Sequence, residues 1–431
     1  MNFNENGEIK LGDVADILSG YAFKSSDFVN EGIPIIKIKN IVPPIIDISD
    51  VQYVSQELYN EKSRYSLKYN DILISLTGSN VNQIASAVGK IGRVRLKNTK
   101  LLLNQRVGKL YVTDEDRCDY NYLYYYLIQE DVRYNLAASA GGSANQANIS
   151  PSQIKNIKIK LPTLEEQKAI SNILRTVDEK IEINNQINSR LEEMAQTIFK
   201  QWFVDFEFPN EDGEPYKSSG GEMVESEVGV IPKGWEVKKI EELCEIITKS
   251  EKPFENPEKI YEHFSLPACD EGKLPVIEPG KNISSSKYKI NSDCILISKL
   301  NPSTKRIWDP LCNSENAICS TEFIAFKPRN KAIKPFCYEI INSDKFSEFL
   351  LANVTGSTGS RQRVQPKNTL NFKFAVGETK IIEDFCSVIK PIHQKIKVNI
   401  QESKVLRDSR EALLPKLVSG EIRVPLELSE N

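Results

Sequence analysis

Histidine is scarce in this sequence, with His263 and His393 the only two in 431 residues, and the eight cysteines include no C-x-x-C pair. Zinc sites draw on Cys and His clustered at short spacings, so no metal is expected and the cysteines read as reduced, partly buried thiols. No run approaches eighteen apolar residues, and MNFNENGEIKLGD has no apolar signal core, which leads us to expect a cytoplasmic protein with no membrane span. The phosphate-loop pattern is missing too: GSTGSRQR (356–363) has glycines without the lysine. NPST (301–304) lacks the second proline and the aromatic of an amino-methyltransferase tetrad. The Glu-x-Lys pairs Glu166/Lys168, Glu378/Lys380 and Glu402/Lys404 lie on or at the start of helical segments, where nuclease chemistry needs a strand beside a further acid. No catalytic residue, and no cofactor bound by this chain, is expected.

Acidic residues are absent from two stretches. Between Asp71 and Asp114 the charges are Lys90, Arg93, Arg95, Lys97, Lys100, Arg106 and Lys109, and from Phe349 to Gly377 they are Arg361, Arg363, Lys367 and Lys373. With a net charge of -3, these read either as solvated faces or as two local footprints for a polyanion. The composition, 40% hydrophobic and 27% charged, is that of a folded chain, and the length calls for more than one domain.

What is present is a repeat. LGDVADILSG (11–20) is echoed by VKKIEELCEI (237–246), and YNDILISLTG (69–78) by NSDCILISKLN (291–301). SAGGSANQANISPSQIKNIKIKLP (139–162) is echoed by TGSTGSRQRVQPKNTLNFKFAV (355–376). Each half then closes with a long helix. The first has a capping box, Thr163 with Glu166, and a seam at Ile170, Leu174, Val177, Ile181, Asn184, Asn188, Leu191, Ala195, Ile198 and Trp202 in alternating steps of four and three. At about 1.5 Å per residue it forms a rod of about 58 Å. The second runs through Phe385, Ile389, Ile392, Ile396, Asn399, Ser403, Leu406, Leu413 and Leu417, interrupted at Arg410 and strained by Pro391 and Pro415. A lone heptad helix is commonly a dimerisation device. Here Asn184 and Asn188 recur as Asn399 and Ser403, so the expected pairing is intramolecular and antiparallel, with these polar layers fixing the register.

The expected fold class is α+β: two β-rich domains in tandem, each followed by a long helix, the helices forming an antiparallel intramolecular coiled coil. The expected boundaries are 1–162 and 235–376 for the β-rich domains, 163–206 for the first helix, 207–234 for an exposed linker rich in Glu, Gly, Ser and Pro, and 377–431 for the second helix and tail. WFVDFEF and GEIRVPL alternate like short strands, and each is expected to dock on the globular unit that follows it cyclically.

LPTLEEQKAISNIL, IFKQWFVDFEF, IPKGWEVKKI and above all ALLPKLVSGEIRV (412–424) resemble the specificity subunit of type I restriction-modification systems, and the resemblance covers essentially the whole chain. It implies a non-catalytic subunit with two target recognition domains, each reading one half of a bipartite double-stranded DNA target. It also implies helices that space these domains and dock two methyltransferase (M) subunits. S-adenosylmethionine is then held by the methyltransferase, and ATP and Mg by restriction (R) subunits. An orphan specificity protein, acting as a DNA-binding competitor or regulator without a cognate methyltransferase, is the alternative; a coiled-coil scaffold without DNA is a third reading.

Base contacts do not transfer between such divergent halves, so DNA-facing residues follow from chemistry: strand-ending loops with Lys or Arg for phosphate and Asn, Gln, Ser or Thr for base edges. In the first half these are Thr77, Ser79, Asn80, Asn82, Gln83, Lys90, Arg93, Gln105, Arg106, Asn145 and Gln146. In the second they are Lys299, Asn301, Ser303, Thr304, Lys305, Arg306, Ser357, Thr358, Arg361, Gln362 and Arg363. Arg361 and Arg363 lead, because neighbouring glycines allow close approach to phosphate.

Overall fold

The computed structural model describes residues 8–79, 88–143, 146–355 and 362–425, without the side chains of residues 143 and 146. It forms two compact units, Met1–Glu179 with Arg407–Asn431, and Lys180–Leu406.

In the first unit the repeated ILIS run forms the strand Ile72–Ser75, buried at all four positions, as a continuous apolar run does when both faces are covered. It lies antiparallel to Ile91–Arg93 on one side and to Val107–Val112 on the other, and Val107–Val112 pairs in turn with Ala15–Ser19. A second sheet holds Leu101–Leu103 parallel to Ile33–Ile36, and Ile9–Lys10 closes on Lys158–Ile159.

The second unit has the same wiring. Its ILIS strand, Ile295–Ser298, lies antiparallel to Ile307–Trp308 and to Phe323–Pro328, which pairs with Cys244–Ile246. Ala317–Ser320 runs parallel to Ile260–Phe264, and Glu236–Lys239 closes on Lys373–Val376. The duplication read from three sequence echoes is thus a duplication of hydrogen-bonded ladders.

The two long helices are Leu164–Phe203 and Thr379–Ser419. The first starts on its capping box: the Thr163 amide donates to Glu166 Oε2 at 3.0 Å and the Glu166 amide to Thr163 Oγ1 at 3.3 Å. Ile170 and Leu174 of the first helix and Leu414, Leu417 and Val418 of the second lie in the core of the first unit. Ala195, Phe199 and Phe203 with Ile382, Phe385 and Ile389 lie in the core of the second. Early residues of one helix therefore meet late residues of the other, and the pair is antiparallel. Asn399 Nδ2 donates to Asn188 Oδ1 at 2.8 Å, and Asn184 Nδ2 donates to Glu402 Oε2 at 2.9 Å and Ser403 Oγ at 3.3 Å. All four seam residues are buried. The interruption at Arg410 is met by Asp178, 2.7 Å away, and the second helix continues through Pro391 and Pro415.

Four expectations are refined or corrected. At its end the first helix buries Phe199 and Phe203 more deeply than the seam residues Ile198 and Trp202, which pack on the same core with Trp202 5.7 Å from Phe385, because a helix of 3.6 residues per turn drifts against a 3.5 repeat. Residues 207–234 are mostly exposed, but the segment is anchored to the core. Phe208 is buried, its ring 4.7 Å from Tyr216 and 5.0 Å from Trp235, and the hairpin Met223–Ser226 with Gly229–Pro232 follows, with Ile231 in the core. WFVDFEF is not a strand: the helix runs to Phe203, and Phe206 turns the chain with φ 61°. GEIRVPL forms no strand among its described residues, although Val424 packs on the first core.

Candidate nucleic-acid interface

In the first unit the exposed candidates sit on the turn that links Leu101–Leu103 to Val107–Val112. Gln105 and Arg106 face solvent there, the turn being held by the Gln105 amide on the Tyr21 carbonyl at 2.9 Å and the Arg106 amide on Asn104 Oδ1 at 3.3 Å. Thr77 pairs across a short ladder with Asn148, its hydroxyl donating to Asn148 Oδ1 at 2.8 Å. Ser79 is buried. Lys90 is half-buried, its amide donating to Ser75 Oγ at 2.9 Å, and burial followed by the nearby Arg133 charge lowers its pKa. Asn80, Asn82, Gln83 and Asn145 lie outside the described residues, as does the side chain of Gln146.

Arg93 is a correction. Its side chain is 0% exposed, with the guanidinium 3.9 Å from the centroid of the Tyr124 ring and, among the described residues, no hydrogen-bond partner on any of its three nitrogens. Arg93 ends the strand Ile91–Arg93 facing inward, and a side chain so enclosed cannot reach an external phosphate. Burial pulls its pKa below the ordinary arginine value, partly offset by the Tyr124 ring.

The rest of the acid-free stretch is also dispersed. Arg95 binds Asn70 Oδ1 at 2.8 Å, Lys97 lies 5.1 Å from the Tyr69 ring, Lys100 donates to Gln56 Oε1 at 2.7 Å, and Lys109 pairs with Asp71 at 2.7 Å. A run without acids in the sequence therefore does not make one basic face.

The neighbours of the Gln105 turn are aromatic and lie outside the polar loops expected to face DNA. Tyr21, Phe23 and Tyr65 form a half-exposed aromatic group, with ring centroids 5.1 and 5.7 Å from Tyr21, and the Lys62 ammonium lies 4.7 Å from the Tyr21 ring. Gly20 makes this approach possible, since a Cβ there would fall 2.3 Å from the Asn104 carbonyl oxygen. The signal was the run SGYAF (19–23), small residues leading two aromatics out of a strand.

In the second unit the equivalent loops meet. Leu300 bridges Arg363, the Asn301 amide donates to the Gln362 carbonyl at 2.9 Å and the Val364 amide to the Lys299 carbonyl at 3.1 Å. Asn301 adopts the left-handed region with φ 49°, which asparagine tolerates. The Thr304 amide closes a turn on the Asn301 carbonyl at 2.9 Å, leaving Ser303 and Thr304 exposed.

The cations here are largely occupied. Arg363 donates from Nε and Nη2 to both Glu322 oxygens at 3.1 and 3.0 Å, a pairing that raises its pKa. Arg306 donates to Asp270 at 2.6 Å. Lys305 folds its ammonium onto the Asn342 carbonyl, and burial lowers its pKa. Ser357, Thr358 and Arg361 lie outside the described residues. The structure thus joins the candidates of 299–306 to 362–363 in one loop pair, and in the first unit Thr77 to the strand Gln146–Asn148.

Among the described residues no group of His, Cys, Asp and Glu could hold a metal ion, and no helix is long and apolar enough to cross a membrane. The family model of the type I restriction modification DNA specificity domain matches residues 4–193. The chain is 28% identical over 352 residues to the type I restriction enzyme MjaIX specificity subunit of Methanocaldococcus jannaschii, covering 78% of this chain and 76% of that protein. It is 26% identical over 356 residues to the HindI specificity subunit of Haemophilus influenzae, covering 67% and 73%. In fold it is similar to the crystal structure of a type I restriction-modification S subunit from M. genitalium, with a TM-score of 0.54 at 16% identity over 97% of this chain and 98% of that one.

Proposed function

We propose that the chain is a specificity subunit of a type I restriction-modification system, as its similarity to such subunits supports, that each of its two units reads one half of a bipartite DNA target, and that the paired helices space the units and dock methyltransferase subunits. The observation that carries the reading is the duplicated loop pair at the end of each ILIS strand, where Thr77 meets Asn148 and Leu300 meets Arg363. Two copies of one wiring bearing different loop residues suit two different half-sites. In the first unit the Gln105–Arg106 turn with Tyr21, Tyr65 and Lys62 adds a phosphate anchor, an amide for base edges and aromatic faces.

The chain itself does no chemistry on this reading. It supplies sequence specificity to an adenine methyltransferase that holds S-adenosylmethionine, and to restriction subunits that use ATP and Mg. Docking is supported by exposed apolar side chains on the helices: Ile183, Ile187 and Met194 on the first, Val398 and Val405 on the second. Apolar residues at helical spacing that face solvent suit helices of a partner. Ile187→Glu combined with Val398→Glu is expected to abolish co-purification with the methyltransferase subunit while leaving the melting temperature of the free chain unchanged.

The test of DNA reading is a gel-shift titration of the assembled complex across salt. Arg106→Ala should weaken binding and reduce the slope of log K against log salt by about one, as expected for one phosphate contact. Arg93→Met should leave both unchanged and keep or raise stability, because it removes a buried cation that has no ion pair among the described residues. Equal losses for the two variants would refute the placement of the interface at this turn.

A further inference from the structure

The two units differ at one matched place. In the first, Gly92 faces Leu73 of the ILIS strand and Arg93 follows it. In the second, Trp308 faces Leu296 and Asp309 follows it, so Arg93 and Asp309 hold equivalent positions. Tyr124 and Tyr338 are likewise matched, standing at the same place before the helices Glu130–Ala138 and Asp344–Ala352. In the first unit the Arg93 guanidinium lies against the Tyr124 ring. In the second the matching carboxylate is drawn away to Lys334 and Lys397, and Tyr338 borders a cavity of about 400 Å³.

The wall of that cavity carries a buried carboxylate that has no counter-ion among the described residues. Glu262 lines it and is 2% exposed, and its carboxylate accepts from the Asn313 amide at 2.9 Å, Asn313 Nδ2 at 3.3 Å and the Ser314 amide at 3.2 Å. These donors are neutral, and a buried carboxylate held by neutral donors favours a cation beside it. Of the lysines on the wall, Lys273 is held by Glu192 at 3.1 Å and Lys397 by Asp309 at 2.6 Å, while Lys404 is exposed. Burial and then the charges of Glu192, Glu339 and Asp309 push the Tyr338 phenol well up. Trp308, Ile277 and Val405 supply apolar surface on the same wall.

We propose that this cavity receives a guanidinium group on an alkyl stem, with Glu262 as its counter-charge, Tyr338 as the ring beside it and Trp308, Ile277 and Val405 against the methylenes. It is the arrangement that Arg93 and Tyr124 make internally in the first unit, supplied here from outside. The source is either an arginine side chain of a partner protein or a free guanidinium compound.

Calorimetric titration of the full-length chain with agmatine tests this. Saturable binding is expected, at least tenfold weaker in Glu262→Gln, which keeps an acceptor for the Asn313 and Ser314 donors and whose fold is checked by its melting temperature. Neutral n-butylurea should not bind. The proposal is overturned by equal binding of agmatine and n-butylurea, by an unchanged affinity in Glu262→Gln, or by no binding of agmatine up to about 10 mM, well above a millimolar Kd. A second arm, which alone rests on the proposed function, adds agmatine during assembly with the methyltransferase subunit. Weakened assembly identifies a partner's arginine, and unaffected assembly identifies a free compound; the binding arm reads the cavity whether or not assembly occurs.

Discussion

Asp309→Ala is expected to destabilise the second unit by about 3–5 kcal/mol, the usual cost of removing one partner from a buried ionic cluster. Asp309 sits between the ammonium groups of Lys334 and Lys397, and the three side chains are only 15, 14 and 24% exposed. Without the carboxylate, two cations stay enclosed with no anion between them. Trp202, Trp235 and Trp308 all belong to this unit, so tryptophan fluorescence during urea unfolding reports on it alone. A loss below about 1 kcal/mol, the scale of a surface pair, would mean the cluster is effectively solvated.

The same carboxylate sets an acid limit. Burial by itself would raise the Asp309 pKa, but Lys334 and then Lys397 hold it below the ordinary carboxylate value. A group with a depressed folded pKa contributes its stability above its unfolded pKa, about 3.9, and loses it as pH falls through the folded value. The native protein should therefore lose stability below about pH 4 more steeply than Asp309→Ala.

The second large effect rests on the proposed function and concerns the DNA target. Removing one heptad from each long helix shortens the pair by about 10 Å and retains the Asn188–Asn399 layer if the deletions lie to one side of it. At about 3.4 Å per base pair, the gap between half-sites should contract by about three base pairs while both half-site sequences stay the same. Methylome sequencing of a host expressing the shortened chain with its methyltransferase reads both quantities at once. A shorter chain that methylates with the original gap would remove the helices from the role of ruler.

What could be read in advance was what is local. The ILIS runs are strands because three consecutive apolar residues need cover on both faces. The Thr163 and Glu166 box is complete within one turn, and Asn184, Asn188, Asn399 and Ser403 are conspicuous in an otherwise apolar seam. What escaped depends on contacts distant in sequence. Glycine, serine and proline in 207–234 suggested a linker, yet Phe208, Tyr216 and Trp235 stack and hold it to the core. Arg93 looked like its basic neighbours until strand alternation and the helix bearing Tyr124 enclosed it. The candidate interface was half visible: Gln105 and Arg106 fall on a turn that the sequence marks with polar residues, whereas Tyr21 reaches them only because Gly20 lets two strands touch.

The exchange of helix ends has a consequence for how the chain is made. The core of the first unit includes Leu414, Leu417 and Val418, which leave the ribosome after the whole of the second unit. The domain synthesised first is thus the one completed last. Until then the rest of that core, Tyr125 and Leu174 included, lacks these residues while some two hundred further residues are translated, and a message cut short before codon 414 yields a second unit that can close and a first whose core is incomplete.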